Sequence, residues 1–135
     1  SEKQLSRFVA IEDLKVGDKV WARDPETGET ALKPILQTFT NYDDQVWQLT
    51  FIDADGNEVV HEVTDSHPYY DVNNGWLTVA DLQIGAEIET FDKRNVVLAS
   101  KVNTGEVLTT YTLDVADIDS YFVSTGLVLV HNCDV

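Results

Sequence analysis

The sequence predicts an all-β fold made of two pseudo-symmetric antiparallel halves, on three observations. Apolar residues alternate with polar ones over long stretches. Strong Asp/Asn/Gly turns separate the alternating runs. One short pattern also occurs twice along the chain. Helical signal is limited to single turns at Ile11-Glu12-Asp13-Leu14 and Val79-Ala80-Asp81-Leu82.

Taken in order, four runs read as strands: Lys19-Val20-Trp21-Ala22-Arg23, Gln45 to Phe51, Glu58 to Val63 and Thr109 to Val115. Asp24-Pro25-Glu26-Thr27-Gly28, Asp53-Ala54-Asp55-Gly56-Asn57 and Asn73-Asn74-Gly75 are the turns between runs. Near the end, Tyr121 to Val130 is a β-rich run broken at Thr125-Gly126, which predicts a hairpin. Its second strand delivers His131 and Asn132 out of apolar packing.

The repeat pairs Ile11-Glu12-Asp13-Leu14-Lys15-Val16-Gly17-Asp18-Lys19-Val20 with Val79-Ala80-Asp81-Leu82-Gln83-Ile84-Gly85-Ala86-Glu87-Ile88. Both copies read Asp-Leu-x-x-Gly-x-x-(Val/Ile), and each is followed by a strand and an Asp, Asp24 or Asp92. The shared glycine suits a tight turn in which one helical turn redirects into a strand. Two copies are too few for a solenoid and predict two halves with a cleft near the pseudo-axis.

The 135 residues suffice for one domain with its own core, and 43% hydrophobic content excludes a disordered chain. With 24 acidic against 9 basic residues the net charge is −15, which repels phosphate backbones and argues against nucleic-acid binding. No apolar run approaches the ~20 residues of a membrane helix, and no signal peptide precedes the domain, so the expectation is a soluble domain that processes in the cytoplasm. The one cysteine, Cys133, forms no internal disulfide.

That cysteine belongs to a chemically loaded ending, His131-Asn132-Cys133. An Asn side-chain amide nitrogen can attack its own backbone carbonyl, close a succinimide and release the next residue. His131 can protonate the leaving nitrogen. Cys133 carries the most nucleophilic side chain available near neutral pH. A second constellation, Thr64-Asp65-Ser66-His67-Pro68, follows the Glu58–Val63 strand, with Pro68 expected to stop it. A Thr hydroxyl and an imidazole held at such a turn can bind one backbone amide and protonate its leaving nitrogen. The repeat suggests that Val63-Thr64 and Val130-His131 end comparable strands of the two halves, with His67 and His131 opening into one cleft.

Three stretches together resemble the Hint superfamily of inteins, bacterial intein-like domains and polymorphic-toxin Hint domains: Ile11 to Val20, Val63-Thr64-Asp65-Ser66-His67-Pro68, and Leu113 to Cys133 ending Val130-His131-Asn132-Cys133. The likeness runs from Phe8 onward, with the motifs in the family's order. It implies a Hint horseshoe over 1–132, with 133–135 beginning the downstream flank. It further implies autocatalytic splicing or C-terminal cleavage, with the flanking polypeptides as partners and no metal or cofactor. Thr64 and His67 would activate the upstream scissile bond, His131 would assist Asn132, and Cys133 would accept the acyl group. Asp119 stands where many inteins carry a His, and Thr112 where an Asp or Asn is frequent.

Only Ser1 to Ala10 precede the first repeat, shorter than the family's opening segment with its nucleophilic Cys or Ser. The expectation is an absent opening segment, as in a split intein whose short N-terminal piece acts in trans or in a chain trimmed for C-terminal cleavage, or else Ser1 as a substituted nucleophile; Ser6, with chain on both sides, is disfavoured. A calcium module is the non-enzymatic alternative: Asp53, Asp55, Gly56 and Asn57 imitate a calcium loop, but Glu62 falls two positions early. A zinc site from His61, His67 and His131, or a plain interaction domain, rests on less.

Overall fold

The computed structural model describes residues 13–123 and 128–131, with the side chains of Asp43 and Asp44 excepted. Ser1, Ser6, Asn132, Cys133 and the Thr125-Gly126 turn lie outside the described residues. Nine strands form within them: β1 (Lys19–Arg23), β2 (Thr30–Ile52), β3 (Glu58–Val63), β4 (Pro68–Asp71), β5 (Gly75–Thr78), β6 (Glu87–Ile88), β7 (Val96–Val115), β8 (Ser120–Val123) and β9 (Val128–His131). Every pairing is antiparallel.

The strands close a circuit, β1–β8–β9–β4–β6–β7–β2 and back to β1, with β3 added to β2 and β5 added to β4. Closure leaves few open edges, and an interior face lined by apolar side chains fills the ring. Val20, Ile35, Phe51, Tyr69, Ile88 and Leu98 belong to that core. In β3, Val59 and His61 point inward while Glu58, Val60 and Glu62 face out, the alternation expected of a strand with one wet face.

The repeat is structural. Leu14 and Leu82 are both buried. Gly17 N–H donates to the Ile35 carbonyl at 3.0 Å, and Gly85 N–H to the Leu98 carbonyl at 2.8 Å. Ile35 N–H returns to the Asp18 carbonyl and Leu98 N–H to that of Ala86. The paired aspartates act alike: Asp24 Oδ1 accepts from Glu26 N–H at 2.9 Å, and Asp92 Oδ1 from Arg94 N–H at 3.0 Å, each bracing the turn into the long strand of its half. Those long strands, β2 and β7, pair along most of their length, with register shifts where bulges bend them.

Four expectations need correction. The Gln45–Phe51 run is only the end of β2, which begins at Thr30, and Thr109–Val115 is the end of β7, which begins at Val96. Pro68 does not merely stop a strand; it starts β4, a position where the missing N–H costs nothing. The ends of β3 and β9 are also not equivalent, since β3 pairs with β2 whereas β9 pairs with β8 and β4.

Arg23 fastens the two halves at the ring closure. Its guanidinium donates to Thr30 Oγ1 (2.8 Å), Glu89 Oε2 (3.0 Å), the Thr90 carbonyl (3.1 Å) and the Phe91 carbonyl (2.8 Å). It lies 4.9 Å from the Phe122 ring centroid, and its own carbonyl accepts from the Ser120 hydroxyl. No helix among the described residues is long and apolar enough to cross a membrane.

Candidate active site

The β4–β9 pairing decides which residues meet. Tyr69 lies opposite Val130, so His67 precedes that contact by two residues and His131 follows it by one. On the other side of β9, Ser120 lies opposite His131, and Asp119 immediately precedes Ser120. The point where β9 leaves the described residues is therefore flanked by His67 on the β4 side and Asp119 on the β8 side. β4 is distant in sequence from the β8–β9 hairpin, and the β4–β9 pairing makes them neighbours.

The Thr64–His67 segment is a tight turn. His67 N–H donates to the Thr64 carbonyl at 3.3 Å, and the Thr64 hydroxyl lies 3.5 Å from that of Ser66. Two further bonds tie the turn to the second repeat: Ala80 N–H to the Asp65 carbonyl and Val79 N–H to the His67 carbonyl, both 3.0 Å. Thr64 is half-buried. Its hydroxyl and the His67 ring thus share one rigid turn, although no bond joins them directly.

His67 packs on the Tyr69 ring, centroids 5.0 Å apart. Its Nδ1 is buried without a hydrogen-bond partner among the described residues. Burial pushes the imidazole down to about 4, opposed weakly by the Pro68 backbone. The ring is thus neutral near pH 7, with an unmet polar atom that a peptide amide would satisfy.

Beneath it lies a histidine that the sequence reading assigned only to an improbable metal site. His61 is buried, and its Nδ1 makes a 2.7 Å hydrogen bond with the Tyr69 hydroxyl. Burial, and secondarily the charge of His67, lower its pKa to about 4. Desolvation raises that of Tyr69. The inward alternation of β3 was the one available signal for His61; Tyr69 showed none.

His131 is half-buried and meets the Trp76 ring edge-to-face, centroids 4.9 Å apart and planes at 89°. Asp119 is exposed, in the bend before β8. Thr112 Oγ1 is buried without a partner among the described residues. Of the six residues predicted for the site, His67, Asp119 and His131 lie at or beside the end of β9 by register, Thr64 shares the turn of His67, and Asn132 and Cys133 are outside the described residues.

The acidic turn reads as a hairpin. Asp53 Oδ1 accepts from Asp55 N–H and Asn57 N–H, and Gly56 N–H bonds the Asp53 carbonyl. The Asp55 carboxylate forks onto the Arg94 guanidinium at 2.7 and 3.2 Å, which holds its pKa below the ordinary range. A side chain engaged by Arg94 and a carboxylate engaged by its own turn are poor starting ligands for calcium. Among the described residues no three His, Cys, Asp or Glu side chains group closely enough to hold a metal ion.

Comparison with known proteins matches the chain to the pretoxin HINT domain over residues 3–133. The solution structure of a bacterial intein-like domain from Clostridium thermocellum is 33% identical, covers 92% of this chain and 88% of its own, and superposes with a TM-score of 0.79. The crystal structure of a DnaB intein from Synechocystis is 20% identical, covers 93% of this chain and 87% of its own, with a TM-score of 0.77. No curated protein matches the chain.

Proposed function

The chain belongs to the pretoxin HINT domain family, and from that premise we propose that it cleaves its own backbone after Asn132. Residues 1–132 are then the processing domain, residues 133–135 begin the released flank, and the substrate is the chain's own polypeptide. The observation that carries this reading is the pair of registers that set His67 and Asp119 on either side of the end of β9, beside His131.

In the proposed step, the Asn132 amide nitrogen forms a bond to the Asn132 carbonyl carbon, closing a succinimide. The peptide bond from that carbon to the Cys133 nitrogen breaks. The proton given up by the attacking amide is matched by one delivered to the leaving nitrogen, and His131 is placed by sequence to deliver it. Asp119 steers the attacking amide. A nucleophile carried next to its target by a strand has much of its orientation supplied in advance, worth several kcal/mol of barrier at best. Thr64 and His67 act on the upstream bond, where a neutral imidazole with an unmet Nδ1 can engage a backbone amide.

Joining the two flanks requires in addition an upstream (thio)ester, for which Ser1 and a short N-terminal fragment supplied in trans are two candidate sources. Ligation assays with and without a Cys-bearing peptide separate those sources. The central test is Asn132→Ala in a chain extended by a reporter after Val135, followed by intact mass over time. Release should vanish, because the methyl group has no nitrogen to attack the carbonyl. Undiminished release would end the succinimide reading.

A further inference from the structure

We propose that Trp76 is the positioning residue for His131, holding its imidazole in the orientation needed at the leaving amide; the inference rests on the reading of His131 given above. Three observations converge. The rings meet edge-to-face with centroids 4.9 Å apart and planes at 89°, within the geometry that aromatic pairs favour. The indole is itself braced by Tyr70, whose ring lies 5.2 Å away at 76°. The strand registers explain why a residue two strands away reaches His131 at all.

β4 pairs with β5 as Pro68↔Thr78 and Tyr70↔Trp76, and with β9 as Tyr69↔Val130. One step along that second ladder, His131 comes across from Pro68 and shares its face with Pro68, Tyr70, Trp76 and Thr78. With ring centroids 4.9 Å apart, the indole leans across β4 to meet the imidazole. Trp76 reaches His131 from the side, two strands away. It is half-buried, unlike the fully buried Tyr69 and Phe122, so its contribution to the core is the smaller part of its role.

A positioning role differs from plain packing in what it leaves intact. Trp76→Leu removes the ring face while keeping an apolar side chain. In the chain carrying a downstream reporter, release should slow roughly 10- to 100-fold, the scale expected when a catalytic group is displaced by about 1 Å. Trp76→Phe, with a ring in the same place, should restore most of the rate. In an Asn132→Ala background, which keeps the chain whole, the His131 ring protons should lose their ring-current shift in the Leu variant and regain part of it with Phe. Trp76→Met carries the same test if the Leu variant does not fold.

Release at the parental rate in folded Leu or Met variants overturns the proposal, as does a Phe variant that is no better than Leu. The parent reading fails separately: if His131→Ala releases at the parental rate, His131 is not the acid, whatever Trp76 does.

Discussion

Gly17 and Gly85 adopt the same backbone conformation, φ = +94°, each at the turn that leads its half of the chain into the ring. The agreement extends outward from that pair. Lys15 and Gln83 carbonyls accept from Asp18 and Ala86 N–H, both at 3.0 Å. The exposed Val16 and Ile84 precede the glycines, and the fully buried Val20 and Ile88 follow them. Shared burial, hydrogen bonding and dihedral angle make the recurring Asp-Leu-x-x-Gly pattern one structural unit used twice, not two turns that happen to look alike.

This equivalence makes a quantitative prediction. A Cβ added at either glycine meets nothing within 4 Å, so the cost of substitution is conformational and not steric. An L-residue held at positive φ costs roughly 1–2 kcal/mol. Gly17→Ala and Gly85→Ala should each destabilise by about that amount and by equal amounts, read from denaturant midpoints. A large cost at one site and none at the other would show that the turns carry different loads.

Arg23 is expected to be far more sensitive than an ordinary salt-bridge residue. The side chains of Arg23 and Glu89 are 7% and 14% exposed, so removing the cation strands a nearly buried carboxylate and two carbonyls. Breaking a buried pair from one side typically costs about 3–5 kcal/mol. Arg23→Ala should fall in that range by urea unfolding, and Arg23→Lys should recover only part, because an ammonium cannot reproduce the fork. The exposed Arg94–Asp55 pair is the internal control: Arg94→Ala should cost no more than about 1 kcal/mol.

How much of this was legible before the structure depends on the range of the forces involved. β1, β3 and the hairpin of β8 and β9 were readable because one face of each is buried and the alternation is local. The first part of β2 was not, since Leu36 to Thr38 and Thr40 to Tyr42 are exposed and leave no one-sided pattern. Pro34 inside that strand also argues against it in a sequence reading, although the β1 pairing absorbs it opposite Lys19. Thr64, His67 and His131 were named from local motifs and Asp119 from the family resemblance alone. His61, Tyr69 and Trp76 matter through pairings between distant strands, which no local pattern encodes.

The desolvated histidines give stability a pH dependence of definite sign. His61 and His67 have folded pKa values near 4 against an ordinary 6.5, so between those values the unfolded chain binds more protons than the folded one. Stability is therefore full above about pH 6.5 and falls as the pH drops toward 4. A single histidine shifted this far contributes on the order of 3 kcal/mol across the window, and the charge of His67 acts on His61, so the two do not titrate independently. Urea midpoints at pH 7 and pH 5 should differ clearly. Reduced net charge at the lower pH acts in the opposite direction, so His61→Gln is the discriminating comparison. It should flatten the dependence, and an unchanged slope would remove His61 from the account.

The two histidines at the site should also separate by the bond that they serve. His131 adjoins Asn132 in sequence, whereas His67 sits on the β4 side with a buried Nδ1 that has no partner among the described residues. His131→Ala should slow release of the downstream flank by ~10²-fold or more, the usual scale for losing a positioned acid–base group. His67→Ala should keep much of that release while losing any reaction at the upstream bond. Asp119→Ala should slow release less than His131→Ala, because an exposed carboxylate steers the amide and transfers no proton in the bond-breaking step. Intact-mass time courses on a chain extended at both ends report both bonds at once. If His67→Ala and His131→Ala impair downstream release equally, the site is a single cooperative unit, and the division of labour drawn from the β4–β9 register is wrong.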